Sequence, residues 1–225
     1  MGRLIFKACA GLAFLMAVMA ALVFIPAGTI DYWQGWTFLA VYFAASVAIS
    51  LYLIVKDRAL MERRMSGGPT AEKEPAQRII MGLASAGFVG LVLVPALDHR
   101  FGWSQIPAAV VLAGDGLMLV GWLVIYFVFK ANSFAAATVE VASDQTVVST
   151  GPYALVRHPM YAGALVLLVG IPISLGSWWG LPIIPALAPV LIWRLLDEER
   201  MLARDLPGYA DYQRKQRWRL IPGIW

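Results

Sequence analysis

The chain has 225 residues, of which 60% are hydrophobic and 14% are charged, and its mean hydropathy is +0.70. A soluble domain carries about 25% charged residues, so this composition excludes an ordinary soluble protein and predicts an integral membrane protein. The formal net charge of +4 comes from basic clusters between apolar runs. Nucleic-acid binding would need a folded basic face with interleaved aromatic residues, which the sequence does not offer.

Four apolar segments in the first 130 residues are each close to the roughly 20 residues that a membrane-spanning helix needs: 8–28, 33–55, 79–97 and 107–129. The first follows Arg3 and Lys7 and so imitates a signal peptide, but we interpret it as a retained helix. Residues 160–196 are long enough for two further helices with a break near 174–180. The length of this hairpin leaves open whether it crosses the membrane fully. Four prolines are expected to kink or shorten it: Pro172, Pro182, Pro185 and Pro189.

The predicted fold is therefore all-α, a polytopic membrane bundle of about six apolar helices. No strand followed by a glycine-rich loop and a helix occurs, so a Rossmann domain is not predicted. We divide the chain into an N-terminal transmembrane part, residues 1–130, and a C-terminal part, residues 131–225, within one integrated domain. The second part contains a loop, the helical hairpin and a polar tail.

Lysine and arginine are concentrated on one predicted side of the membrane. The loop 56–78 and the tail after residue 196 each carry six, whereas the connections 29–32, 98–106 and 174–180 together carry only Arg100. By the positive-inside rule, both termini, the 56–78 loop and the 130–159 loop are predicted to be cytoplasmic. Residues 66–76, which include Pro69 and Lys73, are interpreted as a flexible connector.

Polar and aromatic residues of the apolar segments have simple interpretations. Cys9 is expected to be a small buried residue, Asp115 an interfacial residue rather than part of a polar cavity, and His99 a solvated residue of an outer loop. Trp122 and Trp193 are expected in the core. The other tryptophans that we place lie at outer boundaries, as an aromatic belt would: Trp33, Trp36, Trp103, Trp178 and Trp179.

The residues that could take part in binding or catalysis follow position 130. Residues 139–148 alternate β-branched and polar side chains, which predicts a short extended segment over the helices, and residues 150–153 predict a turn. Pro159 suits the first position of a helix. The free backbone N–H groups at such a helix start favour an anion, and Arg157 and His158 reinforce that preference.

Arg194 and Glu198 lie four residues apart at the other end of the hairpin and share a helix face, while Glu199 points about 100° away. Because the hairpin returns to the same side, these charges should meet Arg157 and His158 at the membrane surface. Placing several charges beside lipid costs free energy, so such a cluster usually marks a functional site. Two simpler interpretations stay open: an Arg194–Glu198 ion pair worth a few tenths of a kcal/mol, and an Arg157 that extends to lipid phosphates.

This pattern resembles the isoprenylcysteine carboxyl methyltransferase family and its phospholipid methyltransferase relatives. The resemblance covers roughly residues 130–225 and is weak over residues 1–110. It depends on the following matching residues: Gly151, Pro152, Tyr153, Arg157, His158, Pro159, Tyr161, Gly163, Glu198, Glu199, Tyr209 and Tyr212. In that family S-adenosylmethionine binds in a cytosol-facing pocket, and a lipid-like or prenylated substrate enters from the bilayer.

The resemblance implies that S-adenosylmethionine contacts Gln145, Thr146, Val147, Val148, Tyr153, Arg157, His158, Pro159, Met160, Tyr161 and Glu198. It places Arg194 near the acceptor. One position departs from the pattern, because enzymes of the family that act on prenylated proteins commonly have histidine where this chain has Gln145. The glutamine can form hydrogen bonds but cannot titrate. No metal ligands are predicted.

The resemblance favours the carboxylate of a prenylated cysteine or a similar isoprenoid as acceptor. A carboxylate needs no base, and Arg194 would orient it. A phospholipid amine is the alternative acceptor, and it would need a base, for which His158 and Glu199 are the candidates.

Two other classes of membrane protein fit these residues less well. Sterol-type membrane reductases share a similar Arg-His-Pro-x-Tyr signature but bind NADPH, and Met160 and Ala164 disfavour that class. A non-catalytic membrane scaffold would leave the cluster of arginine, histidine and glutamate side chains unexplained.

Overall fold

The structure, a computed structural model, describes residues 2–65, 67–68, 70–72, 74–139, 141–142 and 144–225. Within these ranges the chain is all-α and contains no strand. A 3₁₀ turn spans Gly151–Ala154, and eight α-helices are formed: α1 (Gly2–Ala27), α2 (Trp33–Lys56), α3 (Arg58–Met65), α4 (Pro75–Phe101), α5 (Ala108–Ala131), α6 (Pro159–Ser174), α7 (Ile183–Asp205) and α8 (Tyr209–Lys215). The prediction of a polytopic helical membrane bundle is confirmed.

Helices α1, α2, α4 and α5 are long and apolar enough to cross a membrane, and they coincide with the four predicted segments. Helix α4 begins four residues before its apolar segment and ends four residues after it. Its start is marked by Pro75 in the first turn and its end by Gly102, whose φ of 66° only glycine adopts readily. Hydropathy marks the part of a helix that lipid surrounds, so it underestimates helices that continue into polar surroundings.

The turn between α6 and α7 lies at the same end of the bundle as the outer connections. The Ser177 hydroxyl donates to Asp98 at the end of α4, and the Trp178 backbone N–H donates to the Ser104 hydroxyl at 3.2 Å. The hairpin therefore reaches the outer end of α4, which its length alone left open. At the opposite end lie helix α3, the described residues that connect α3 to α4 and α5 to α6, and the tail after α7.

Close contact between α5 and α6 brings the C-terminal half of the chain against the spanning helices. A Cβ atom on Gly121 would lie 2.7 Å from the Gly163 carbonyl oxygen, and one on Gly114 would lie 2.4 Å from the Ser174 backbone nitrogen. Small residues allow backbones to approach in this way within a membrane. The start of α6, and with it His158, is thereby fixed beside the end of α5.

Four interpretations of single residues are corrected. Cys9 is exposed, because its face of α1 is turned outward. Trp193 is 42% exposed rather than part of the core. His99 is half-buried and stacks on Tyr32 with ring centroids 3.9 Å apart. Asp115 is buried and accepts a hydrogen bond from the Ser174 hydroxyl, so its side chain packs between α5 and the end of α6 and is not exposed at the surface.

The tryptophans at the outer boundaries are exposed as predicted, and Trp122 packs against both main hydrophobic clusters. The segment around residues 139–148 has no regular secondary structure in its described positions, and a Gln145 N–H to Ala142 carbonyl bond of 3.0 Å makes a turn within it. Glu140 and Ser143 of that segment, and Ser66, Pro69 and Lys73 of the predicted connector, lie outside the described residues.

Candidate functional site

A cavity with an empty volume of about 830 Å³, open mouth included, lies at the end of the bundle that holds the 132–158 loop. We call it the loop cavity. Its walls are the loop, the start of α6, the last turns of α7 and helix α8. All of the residues predicted to contact the cofactor line it, together with Arg194: Gln145, Thr146, Val147, Val148, Tyr153, Arg157, His158, Pro159, Met160, Tyr161 and Glu198. The structure thus brings these residues together, while Glu199 is not among the lining residues.

The tail of the chain holds the loop against the start of α6. The backbone N–H groups of Arg157 and His158 donate to the carbonyl oxygens of Trp218 and Arg219 at 2.8 and 2.9 Å. His158 is the N-cap residue and Pro159 occupies the first turn of α6, as predicted. The Arg-His-Pro motif is therefore held by the tail of the chain and by the start of α6.

Glu199 is a buried hub that joins two arginine side chains and one histidine side chain. Its Oε1 accepts from Arg157 Nε at 2.7 Å and lies 3.1 Å from His158 Nε2, and its Oε2 accepts from Arg219 Nε at 3.1 Å. Burial would raise the pKa of the Glu199 carboxyl, but His158, Arg157 and Arg219 together lower it to about 2. A carboxylate held this way does not accept protons at neutral pH, so the structure does not support the predicted role of Glu199 as a base.

His158 is engaged with the same carboxylate. It lines the loop cavity, but its Nε2 atom faces Glu199. His158 and Glu199, the two candidate bases, therefore interact with each other. We interpret their contact as one that stabilises the Arg-His-Pro motif.

The Tyr161 hydroxyl connects Arg194 with Glu198. It accepts from Arg194 Nε at 3.0 Å and donates to Glu198 Oε2 at 2.5 Å. The interpretation of Arg194 and Glu198 as a simple ion pair is therefore wrong, since no direct salt bridge joins these two described side chains. Glu198 keeps its Oε1 atom without a hydrogen bond from any described residue.

The guanidinium of Arg194 is occupied by residues that the sequence did not indicate. Its Nη1 donates to Glu72 Oε1 at 3.0 Å and to Gln77 Oε1 at 2.9 Å, and its Nη2 donates to the Ala137 carbonyl at 3.3 Å. Gln77 in turn donates to Asp197. Glu72 and Gln77 are 1% and 0% exposed. Glu72 lies in the loop interpreted as a connector, where no pattern marks one glutamate as special.

Tyrosines supply much of the polar wall. The Tyr153 hydroxyl accepts from Asn132 Nδ2 at 2.8 Å, and Tyr212 donates to the Tyr153 carbonyl at 2.7 Å. The Tyr209 hydroxyl is buried and has no hydrogen-bond partner among the described residues. Burial raises the pKa of all three phenols, that of Tyr153 to about 12, so they remain protonated at neutral pH. Tyr212 uses its hydrogen within the chain, whereas the hydroxyl hydrogens of Tyr153 and Tyr209 are not donated to any described residue.

A second, mainly apolar groove meets the loop cavity. We call it the side groove, and its empty volume is about 1340 Å³. It lies between α2, α3, α5 and α6, and it shares Met160, Tyr161, Ala136 and Arg194 with the loop cavity. Its remaining walls include Ser46, Ile49, Ser50, Leu53, Met61, Arg64, Trp122, Ile125 and Phe129. A polar cavity and an apolar groove therefore converge on Tyr161.

No group of three or more histidine, cysteine, aspartate or glutamate side chains suited to a metal ion occurs among the described residues. Two residues that line the loop cavity have polar atoms without a described partner, the Tyr209 hydroxyl and Glu198 Oε1. Such atoms suit an organic ligand with hydrogen-bond acceptors and a cationic group.

Comparisons with known proteins agree with this location. Residues 109–207 match the phospholipid methyltransferase family, a range that includes α5, the loop, α6 and α7. The chain is 29% identical over 131 residues to the nickel-cobalt-cadmium resistance protein NccN of Alcaligenes xylosoxydans xylosoxydans, covering 56% of this chain and 58% of the relative.

It is also 28% identical over 133 residues to the cobalt-zinc-cadmium resistance protein CzcN of Cupriavidus metallidurans, covering 52% of this chain and 61% of the relative. The chain thus spans about three fifths of the length of the curated relatives it matches. The family match supports the broader resemblance found in the sequence and does not single out the isoprenylcysteine branch.

Proposed function

We propose that this protein is an integral membrane methyltransferase that uses S-adenosylmethionine and acts on a lipid-like acceptor, with its site and both termini in the cytoplasm. The observation that carries the proposal is the convergence of the predicted cofactor residues on one cavity that opens into an apolar groove at Tyr161. The match to the phospholipid methyltransferase family over the same residues supports it.

The residues of the loop cavity fit the parts of S-adenosylmethionine. Glu198 Oε1 would hold the ammonium group, and the Tyr209 hydroxyl would donate to an oxygen or a ring nitrogen. The rings of Tyr153 and Tyr161 would face the sulfonium, and the start of α6 would hold the carboxylate. The cofactor supplies an electrophilic methyl group, and the protein supplies alignment and exclusion of water.

The contacts of Arg194 bear on the choice of acceptor. The sequence favoured a prenylcysteine carboxylate oriented by Arg194. In the structure Glu72 already occupies that guanidinium, so an acceptor carboxylate would have to displace a buried carboxylate. We therefore put the phospholipid amine first and retain the prenylcysteine carboxylate as the alternative acceptor.

An amine must lose a proton before its lone pair attacks the methyl carbon. Tyr161 is positioned to relay it, because this residue lines both the loop cavity and the side groove and its hydrogen is already donated to Glu198. The amine proton would pass to the Tyr161 oxygen as the phenol proton passes to the Glu198 carboxylate. The deprotonated nitrogen would then be able to accept the methyl group that the bound cofactor supplies.

Binding and transfer assays test the proposal. Calorimetric titration of the detergent-solubilised protein should show binding of S-adenosylhomocysteine and none of NADPH. Glu198→Gln should weaken that binding about tenfold or more, the scale of a charge-assisted hydrogen bond. Asp205→Asn, which removes an exposed carboxylate paired with Arg204, is the matched control.

Radiolabelled methyl transfer to phosphatidylethanolamine and to S-farnesylcysteine then separates the two acceptors. Binding of NADPH instead of S-adenosylhomocysteine would overturn the methyltransferase assignment.

A further inference from the structure

We propose that Arg64, on α3, binds the anionic phosphate of the acceptor lipid, the role that sequence reasoning gave to Arg194. That the bound lipid is a methyl acceptor depends on the function proposed above. The anion site itself depends only on the geometry around Arg64. Arg64 lies outside the residues matched by the family comparison.

The position of Arg64 is fixed by the 132–137 loop and by α5. Its Nη1 donates to the carbonyl oxygens of Ala135 and Ala136 at 3.0 and 3.4 Å, and lies 3.6 Å from Met160 Sδ. Its guanidinium carbon is 4.5 Å from the centre of the Phe129 ring. The planar group is therefore held on an aromatic face at the wall of the side groove.

The charge of Arg64 is not matched by a carboxylate among the described residues. Two other arginines at this end of the bundle are matched, Arg194 by Glu72 and Arg157 by Glu199. All of the hydrogen bonds that Arg64 makes to described residues come from Nη1. Burial lowers the pKa of the Arg64 guanidinium to about 10, as expected where a cation is removed from water without a counter-ion.

A half-buried cation without a carboxylate partner favours an anion, and arginine matches the geometry of a phosphate with paired N–H donors. Met160 lines both the side groove and the loop cavity. An anion bound at Arg64 would thus lie on one side of Met160 and the methyl donor on the other. A short headgroup could place its nitrogen at Tyr161.

A second polar group lies deeper in the same groove. The indole N–H of Trp122 is buried and has no partner among the described residues. Trp122 precedes Phe129 by seven residues on α5, so it is about 10 Å further from the loop end. A phospholipid has ester carbonyl oxygens below its phosphate, and these can accept from such a donor, whereas a prenyl chain has no oxygen there.

The test compares two lipids that differ only in the phosphate. Binding of phosphatidate and of diacylglycerol with identical chains is measured in mixed micelles with the purified full-length protein. The wild type should bind phosphatidate about tenfold or more tightly than diacylglycerol. Arg64→Gln should abolish this preference, and Arg64→Lys should retain part of it.

Arg63→Gln is the matched control. Arg63 is on the same helix, donates to the Ser133 carbonyl at 2.8 Å and lies over the Phe134 ring, but it does not line the side groove. Its loss should leave the lipid preference intact. A phosphate preference that survives in Arg64→Gln, or that disappears equally in Arg63→Gln, would overturn the proposal.

Three further measurements keep the outcome interpretable. S-adenosylhomocysteine affinity should be unchanged in both glutamine variants, which shows that they are folded. Trp122→Phe should reduce the preference for ester-linked over ether-linked phosphatidate, and an unchanged preference would refute the carbonyl contact. S-farnesylcysteine should compete poorly with phosphatidate, and stronger competition would refute the phospholipid assignment.

The two proposals can fail separately. If the wild type binds no S-adenosylhomocysteine, the methyltransferase function fails while the phosphate preference can still be measured. If methyl transfer occurs but Arg64→Gln does not alter phosphatidate binding, only the anion site fails.

Discussion

Replacing Glu199 with glutamine should destabilise the protein without removing any group from the loop cavity. The substitution keeps the side-chain shape but removes the negative charge that Arg157, His158 and Arg219 share. The fall in the pKa of this carboxyl from 4.5 to about 2 corresponds to about 3 kcal/mol. Since the Arg219 side chain is 30% exposed, solvent screening reduces this figure to about 1–3 kcal/mol.

The effect should be read from apparent melting temperatures in detergent. A chain of this size loses roughly 2–4 °C for each kcal/mol, so Glu199→Gln should melt roughly 2–12 °C below the wild type at pH 7. The exposed Asp205→Asn change should have little effect. Because the pKa of Glu199 is lower in the folded state, the stabilisation is present above pH 4.5 and is lost as the pH falls toward 2. The difference should therefore be constant from pH 8 to 5 and shrink below. Equal melting temperatures of Glu199→Gln and the wild type at pH 7 would refute the stabilising role of the Glu199 carboxylate.

Three more outcomes are expected. Tyr161→Phe should lower methyl transfer to an amine acceptor about 100-fold or more, the scale of acid–base catalysis, while S-adenosylhomocysteine affinity stays within about threefold, as judged by single-turnover rates and calorimetry. Gly121→Ala should lower the melting temperature, because its Cβ would meet α6, whereas Gly116→Ala, with no atom within 4 Å, should not. A cysteine at Thr150, in a Cys9→Ser background, should react with an impermeant reagent in inside-out vesicles and not in intact cells, and labelling from outside would refute the cytoplasmic orientation.

The fold was largely predictable from sequence because lipid imposes one strong requirement. Each backbone polar group must be satisfied within a helix, so an apolar run of about 20 residues indicates a span. Helix α3 was missed because it is short and polar, with basic residues at positions that hydropathy assigns to a loop. Exposure of single residues was also missed, as Cys9 and Trp193 show. In a membrane the outward face of a helix is as apolar as its packed face, so composition does not separate the two.

The proximity of the site residues was predictable because the motif residues lie at the two ends of one helical hairpin. The residues around His158 and Glu198 line one cavity because α6 and α7 return the chain to its starting side. The partners of those residues were not predictable. Glu72 reaches Arg194 from a loop 122 positions away, and no periodicity in sequence encodes such a contact.

Arg194 shows why the partners matter for function as much as the motif does. From sequence spacing alone its neighbour is Glu198, and its free donors would orient an acceptor anion. In the structure four of its hydrogen bonds are made within the chain, including one to the buried Glu72 carboxylate. A guanidinium in this state orients Tyr161 and fixes the loop instead of binding a second anion. The anionic part of an acceptor then needs a different cation, and the arginine at the groove wall without a carboxylate partner among the described residues is Arg64.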